Sequence, residues 1–162
     1  MAVHKLHLDD LYDDDFELIA IHSPLEDFRL AYFLNKNLPV LFSKSKQSIE
    51  VATKDGEAFF SKFIFDDEDN DMQWSLVQNK IEIIANDTNS GQDLFLDANF
   101  EIETSVFLIP EFKKVDYFLK IENNHDTFEL DEIIRKINTI ERISTVYTID
   151  PDKIKSKNNL IF

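Results

Sequence analysis

The chain contains no cysteine, which excludes a disulfide framework and any thiolate site, catalytic or metal-binding. Its two glycines, Gly56 and Gly91, are too few for a glycine-rich phosphate loop, so nucleotide hydrolysis and dinucleotide binding are not expected. Bases are scarce beside acids: 17 lysines and arginines stand against 32 aspartates and glutamates, for a formal net charge of −15. Such a chain repels phosphate backbones at long range, so a nucleic-acid partner is not expected and a charged partner should be a basic protein. Nowhere do eighteen apolar residues run together, and the opening "MAVHKLHLDDLYDDD" turns acidic before an apolar stretch develops. Neither a membrane span nor a signal peptide is expected. A cytoplasmic address agrees with the lack of cysteine.

What is present is apolar mass: 43% of the 162 residues are hydrophobic and 15 are phenylalanine. That suffices for a core without disulfides or metals, and the length suits one domain over residues 1–162. Residues 1–15 read as an acidic N-terminal segment, expected to be partly mobile.

Two strand–helix–strand units flank a middle of alternating residues. "FELIAIHS" (Phe16 to Ser23) is a nearly continuous apolar run, as in a strand covered on both faces. "SPLEDFRLAYFLNKNLP" follows with a helix start, in which Ser23 caps, Pro24 takes the first position and Glu26 completes a capping box. The helix is expected from about Pro24 to Asn35, with Leu25, Phe28, Ala31, Tyr32 and Asn35 on one stripe that Leu30, Phe33 and Leu34 widen into a core helix. Strand character resumes at Val40, Leu41 and Phe42. From Gln47 the period becomes two, with a hairpin signal at Asp55-Gly56, and a β-meander is expected. Leu94 to Ile109 reads as one or two strands. Val115, Tyr117, Leu119 and Ile121 then share one face of a strand, opposite Asp116, Phe118, Lys120 and Glu122. A second helix, capped by Asp126 or Thr127, carries the stripe Leu130, Ile133, Ile134, Ile137 and Ile140, and "RISTVYTIDP" returns to strand until Pro151. The fold class is therefore α+β, a mixed, mostly antiparallel sheet with two principal helices packed on it.

The acidic runs "DDLYDDD" and "DDEDND" invite a calcium reading, but the spacing fails. Counting from Asp67, Met72 stands where the loop needs glycine and Gln78 where it needs the closing glutamate. Solvated turns that oppose aggregation are the expectation. His4 and His7 point to opposite faces of a strand and lack a third ligand, so no metal is expected. His22 and His125 each precede a cap and should stabilise turns. The basic clusters, Lys44 to Lys46 and the alternating Lys153, Lys155 and Lys157, read as solvated edge strands that discourage self-association. No cofactor site is apparent.

Paired carboxylates remain as the one catalytic chemistry available, with Glu111 and Asp116 as candidate acid and base. They lie in "SVFLIPEFKKVDYFLKIE", where the bland reading explains more letters: Pro110 ends one strand, Phe112-Lys113-Lys114 turn the chain, and Val115 starts the next. No catalytic residue is expected. "IPEFKKVDY", with Ile109, Pro110, Glu111, Val115, Asp116 and Tyr117, resembles at all six positions the signature of the IPExxxVDY family of bacterial proteins. "LEDFRLAYFLNK" resembles that family's N-terminal helical segment, so the resemblance covers nearly the whole chain. It implies a single cytoplasmic domain and no assigned activity. Three functions follow in order: a non-catalytic acidic protein that binds a basic protein partner, a small-molecule-sensing regulatory domain with ferredoxin-like strand–helix–strand units, and a carboxylate enzyme.

Overall fold

A computed structural model describes residues 16–85, 102–125 and 127–162. The acidic segment 1–15 with His4 and His7, the polar loop 86–93, the start of the strand expected from Leu94, and Asp126 lie outside the described residues.

The apolar run at the start folds as expected. Strand β1 (Phe16–His22) lies inside the sheet, with Leu18 and Ala20 buried in one apolar cluster and Ile19 and Ile21 in another. Because both faces are covered, the run cannot alternate with polar residues. Helix α1 (Asp27–Asn37) begins three residues later than its capping signals suggest, and Glu26 at its N-cap makes no side-chain capping bond. Ser23 is committed elsewhere: its Oγ donates to the Arg142 carbonyl at 2.9 Å and accepts from Leu25 N at 3.2 Å. The helix stripe also differs. Leu30, Ala31 and Leu34 face the core, while Phe28 and Tyr32 are 58% and 62% exposed. The apolar residues cover most of the helix circumference, so periodicity alone did not choose which arc turns inward.

Past α1, Asn35 clamps the chain by accepting from Phe42 N at 2.7 Å and donating to Phe42 O at 3.1 Å. That clamp holds residues 40–42 out of strand pairing, so β2 (Ser43–Lys44) is shorter and later than Val40 to Phe42 implied. The middle is three separate antiparallel pairs and not a continuous meander. β3 (Ile49–Thr53) and β4 (Gly56–Phe60) form a hairpin closed at Thr53 opposite Gly56, with Gly56 at φ 139°, a conformation open only to glycine. The turn residues are therefore Lys54 and Asp55, one earlier than the Asp-Gly signal suggested. β5 (Lys62–Asp67) pairs with β6 (Met72–Gln78), and β7 (Lys80–Ala85) with β8 (Ile102–Phe107). β9 (Tyr117–Glu122), α2 (Leu130–Asn138) and β10 (Thr145–Ile149) follow.

The six-stranded sheet has the order β10-β1-β9-β6-β5-β2, and each neighbouring pair is antiparallel. β1 and β6 thus run parallel with β9 between them, and β9 and β10 run parallel with β1 between them. Two split strand–helix–strand units interlock, β1–α1–β6 and β9–α2–β10, which is the ferredoxin-like connectivity with β2 to β5 inserted before β6 and the β7–β8 pair inserted after it. Both helices lie on one face, where Leu30, Leu34, Ile133 and Ile137 pack on Ile19, Trp74 and Leu119. The expected stripe of α2 holds: Ile133, Ile137 and Ile140 are buried, and Leu130 and Ile134 pack partly against them.

The opposite face is also covered. Ile49, Ala58 and Phe60 of the first hairpin, Val106 of the second, and Ile154 and Leu160 near the end of the chain form an apolar cluster with Leu18, Val77 and Phe118. β9 is therefore buried on both sides, and Phe118 and Lys120, expected on a polar face, are buried too. The lysine-bearing end is not an edge strand: residues 150–162 form two short 3-10 turns, Pro151–Lys153 and Lys157–Leu160.

Candidate functional site

Three of the six motif residues, Ile109, Val115 and Asp116, are bonded to Asn79, a residue that stood out in no sequence pattern. Asn79 lies between β6 and β7 and is 0% exposed. A buried amide must find partners for both ends of its side chain. Its Nδ2 donates to the carbonyls of Phe112 at 2.9 Å and Val115 at 2.8 Å, and its Oδ1 accepts from Ile109 N at 2.9 Å. Its own backbone N–H donates to Asp116 O at 2.9 Å and its carbonyl accepts from Leu108 N at 2.8 Å. One side chain thus substitutes for the ladder bonds that the motif, lying between strands, does not make.

Around this hub each motif residue has a structural task. Ile109 is fully buried, and Pro110 opens a 3-10 turn, Pro110–Phe112, where no N–H is needed. Phe112 N donates to Ile109 O, and Val115 N to Phe112 O, both at 3.0 Å. β8 ends at Phe107 and β9 begins at Tyr117, so Pro110 does not end a strand and Val115 does not begin one. In consequence Val115 and Tyr117 do not share a face: Val115 packs in the cluster beneath the hairpins and Tyr117 in the cluster beneath the helices.

Asp116 and Tyr117 hold the connection from β1 to α1. The Asp116 Oδ2 accepts from Ser23 N at 2.8 Å, its N–H donates to Ile21 O at 3.2 Å, and the Tyr117 hydroxyl donates to Leu25 O at 2.5 Å. Burial, then the nearby carboxylates of Asp27, Asp116 and Glu26, raise the Tyr117 phenol above its ordinary range and keep it a donor. Glu111 is exposed and accepts from Ser156 Oγ at 2.9 Å. The two candidate carboxylates therefore serve different neighbours, Ser156 and Ser23, and each is bonded to a serine in place of a reacting partner. His22 ends β1 with its Nε2 3.1 Å from the Tyr147 hydroxyl, a cross-strand contact and not a turn.

The acidic features gather at one end of the sheet. The β5–β6 turn ties itself together: Asp67 accepts from the side chain of Asn70 at 2.8 Å, and Asp66 from Gln73 at 2.8 Å. Met72, where a calcium loop needs glycine, is 3% exposed and belongs to the core. Asp66, Asp67, Glu68 and Asp71 line a depression of about 220 Å³ that reaches Asn123. Next to it Glu17, Asn124, Phe128, Glu129 and Asp131 line a wider one of about 700 Å³. Among the described residues, neither is lined by a lysine or arginine. Among the described residues no three His, Asp or Glu side chains are placed to hold a metal ion, and no helix is long and apolar enough to cross a membrane. No family model, curated protein or solved structure matches this chain.

Lys120 is the second residue that sequence reasoning missed. Alternation placed it on a polar face, yet it is 4% exposed and donates to Glu122 Oε1 at 2.9 Å and Leu160 O at 2.8 Å. The chain's last residues cross over it and Phe16 lies beside it, and no local pattern carries that signal.

Proposed function

We propose that the protein is a non-catalytic interaction module whose acidic end binds a basic protein partner. The observation that carries this reading is the pair of adjoining depressions lined, among the described residues, by seven carboxylate residues and by no lysine or arginine. Opposite charge there would steer a basic partner and speed its association, more so at low salt. The motif residues, engaged in bonds to Asn79, Ser23, Leu25 and Ser156, hold the scaffold that carries this end. The proposal also takes the chain as a cytoplasmic protein of the IPExxxVDY family, on the complete six-position match. Affinity capture from native lysate at low salt, with mass spectrometry, tests it: one stoichiometric basic partner, released as salt rises, is expected.

A second reading, a small-molecule-sensing regulatory domain, is favoured by the ferredoxin-like connectivity of β1, β6, β9 and β10. It predicts a metabolite that co-purifies with the protein in place of a protein partner. Fold analogy alone supports it, which makes it the weaker of the two.

A further inference from the structure

A sheet with both helices on one side leaves its other side open, and here residues 150–162 cross part of that side. Their attachments come from side chains. Ile154 and Leu160 are buried in the lower cluster. Ser156 Oγ donates to Glu111 at 2.9 Å, Asn159 Nδ2 to Leu108 O at 2.8 Å, and Lys120 Nζ to Leu160 O at 2.8 Å. The Phe162 ring lies 4.9 Å from Lys120 Nζ and 4.7 Å from Lys62 Nζ. No residue of 150–162 joins a strand ladder, and the described backbone bonds within the segment are local to its turns. Lifting the segment would break no ladder of the sheet.

Lys120 is the informative residue beneath it. A buried ammonium is a poor way to gain stability, because an apolar side chain of similar size avoids the desolvation cost. What the ammonium adds is specificity: with Glu122 taking one donor, it requires a carbonyl where Leu160 now supplies one, beside the aromatic rings of Phe16 and Phe162. That is the recognition pattern of a peptide groove, and its present occupant defines what fits.

We propose that residues 150–162 are a displaceable strap seated in a peptide-docking groove, and that a partner protein enters the groove with a segment that, like the strap, ends a 3-10 turn on a leucine and carries an aromatic residue two positions on. The groove lies on the face away from the helices and does not depend on the acidic end or its partner. Displacing the strap also frees Glu111 from Ser156, so occupancy would be felt at the motif.

The test uses the full chain with Leu160→Asp and Phe162→Ala, and a fluorescent peptide of the sequence Lys153 to Phe162, followed by anisotropy at physiological salt. The strap variant should bind the peptide at least tenfold more tightly than the wild type, whose own strap competes, and adding Lys120→Met should remove that gain. Equal binding by wild type and variant, or equal binding of a scrambled peptide of the same charge, would overturn the proposal. A second measurement needs no variant. Hydrogen exchange of the wild type should show amides at 154–162 opening at least tenfold more often than those of β1 and β9, and opening only together with those strands would overturn it. A dimer at high concentration that Leu160→Asp abolishes would overturn it in favour of strap exchange between copies.

Discussion

The Tyr117 hydroxyl donates to the Leu25 carbonyl at 2.5 Å across 92 positions of sequence, joining the last residue of the motif to the segment that leads into α1. The ring and the hydroxyl can be separated by mutation. Tyr117→Phe keeps the packing and leaves the Leu25 carbonyl unpaired, at a cost of about 1–2 kcal/mol. Tyr117→Ala also removes a buried ring, at a cost of roughly 3–5 kcal/mol. Denaturant unfolding of the two variants should give that order.

The same phenol makes stability depend on alkaline pH. Its folded-state pKa is raised, by burial first and neighbouring carboxylates next, so above the ordinary tyrosine value of about 10 the unfolded chain releases a proton that the folded chain retains. The contribution is fully present below that value and is lost as pH rises through the folded-state pKa. Melts from pH 9 upward should fall less steeply in Tyr117→Phe than in the wild type.

Asn79 should be among the least replaceable polar residues. Asn79→Ala strands the Phe112 and Val115 carbonyls and the Ile109 N–H inside the protein, and at about 1–3 kcal/mol for each stranded group the loss should reach at least about 3 kcal/mol. Asn79→Asp should be no better, since a carboxylate cannot donate to the two carbonyls. Unfolding midpoints with unchanged denaturant slopes would show that stability alone has moved.

What could be read in the sequence was whatever depends on local period. β1 with two buried faces, the Ile133–Ile137–Ile140 stripe of α2 and the antiparallel α+β class all follow from apolar spacing. The errors fall where side-chain bonds outweigh the local period. Ser23 has the form of a helix cap but is bonded to Arg142 and Asp116, and Val40 to Phe42 have strand composition but are held by Asn35. Asn79 joins two strands and Lys120 alternates within one, and the importance of both comes from segments distant in sequence.

The net charge of −15 should appear as a salt dependence of the free protein. Self-repulsion destabilises the compact state, so raising sodium chloride from low to moderate concentration should raise the melting temperature by about a few degrees. For the same reason no binding to duplex DNA or RNA is expected at physiological salt. Micromolar binding that weakens steeply with salt would reveal a basic patch in the strap lysines Lys153 and Lys155.

The most direct test sets the acidic end against the motif. One variant removes five of the seven charges that line the depressions, with Asp66→Asn, Glu68→Gln, Asp71→Asn, Glu129→Gln and Asp131→Asn, keeping side-chain length and an acceptor oxygen at each position. The other carries Glu111→Gln and Asp116→Ala, which leaves the Ser23 N–H without its acceptor. Partner capture and thermal melting are measured on both. The acidic-end variant should melt at or above the wild-type temperature and lose the partner, while the motif variant should melt lower, chiefly through the Asp116 bond to Ser23, and keep the partner. A motif variant that melts as the wild type does but no longer captures the partner would contradict the account and return the function to Glu111 and Asp116.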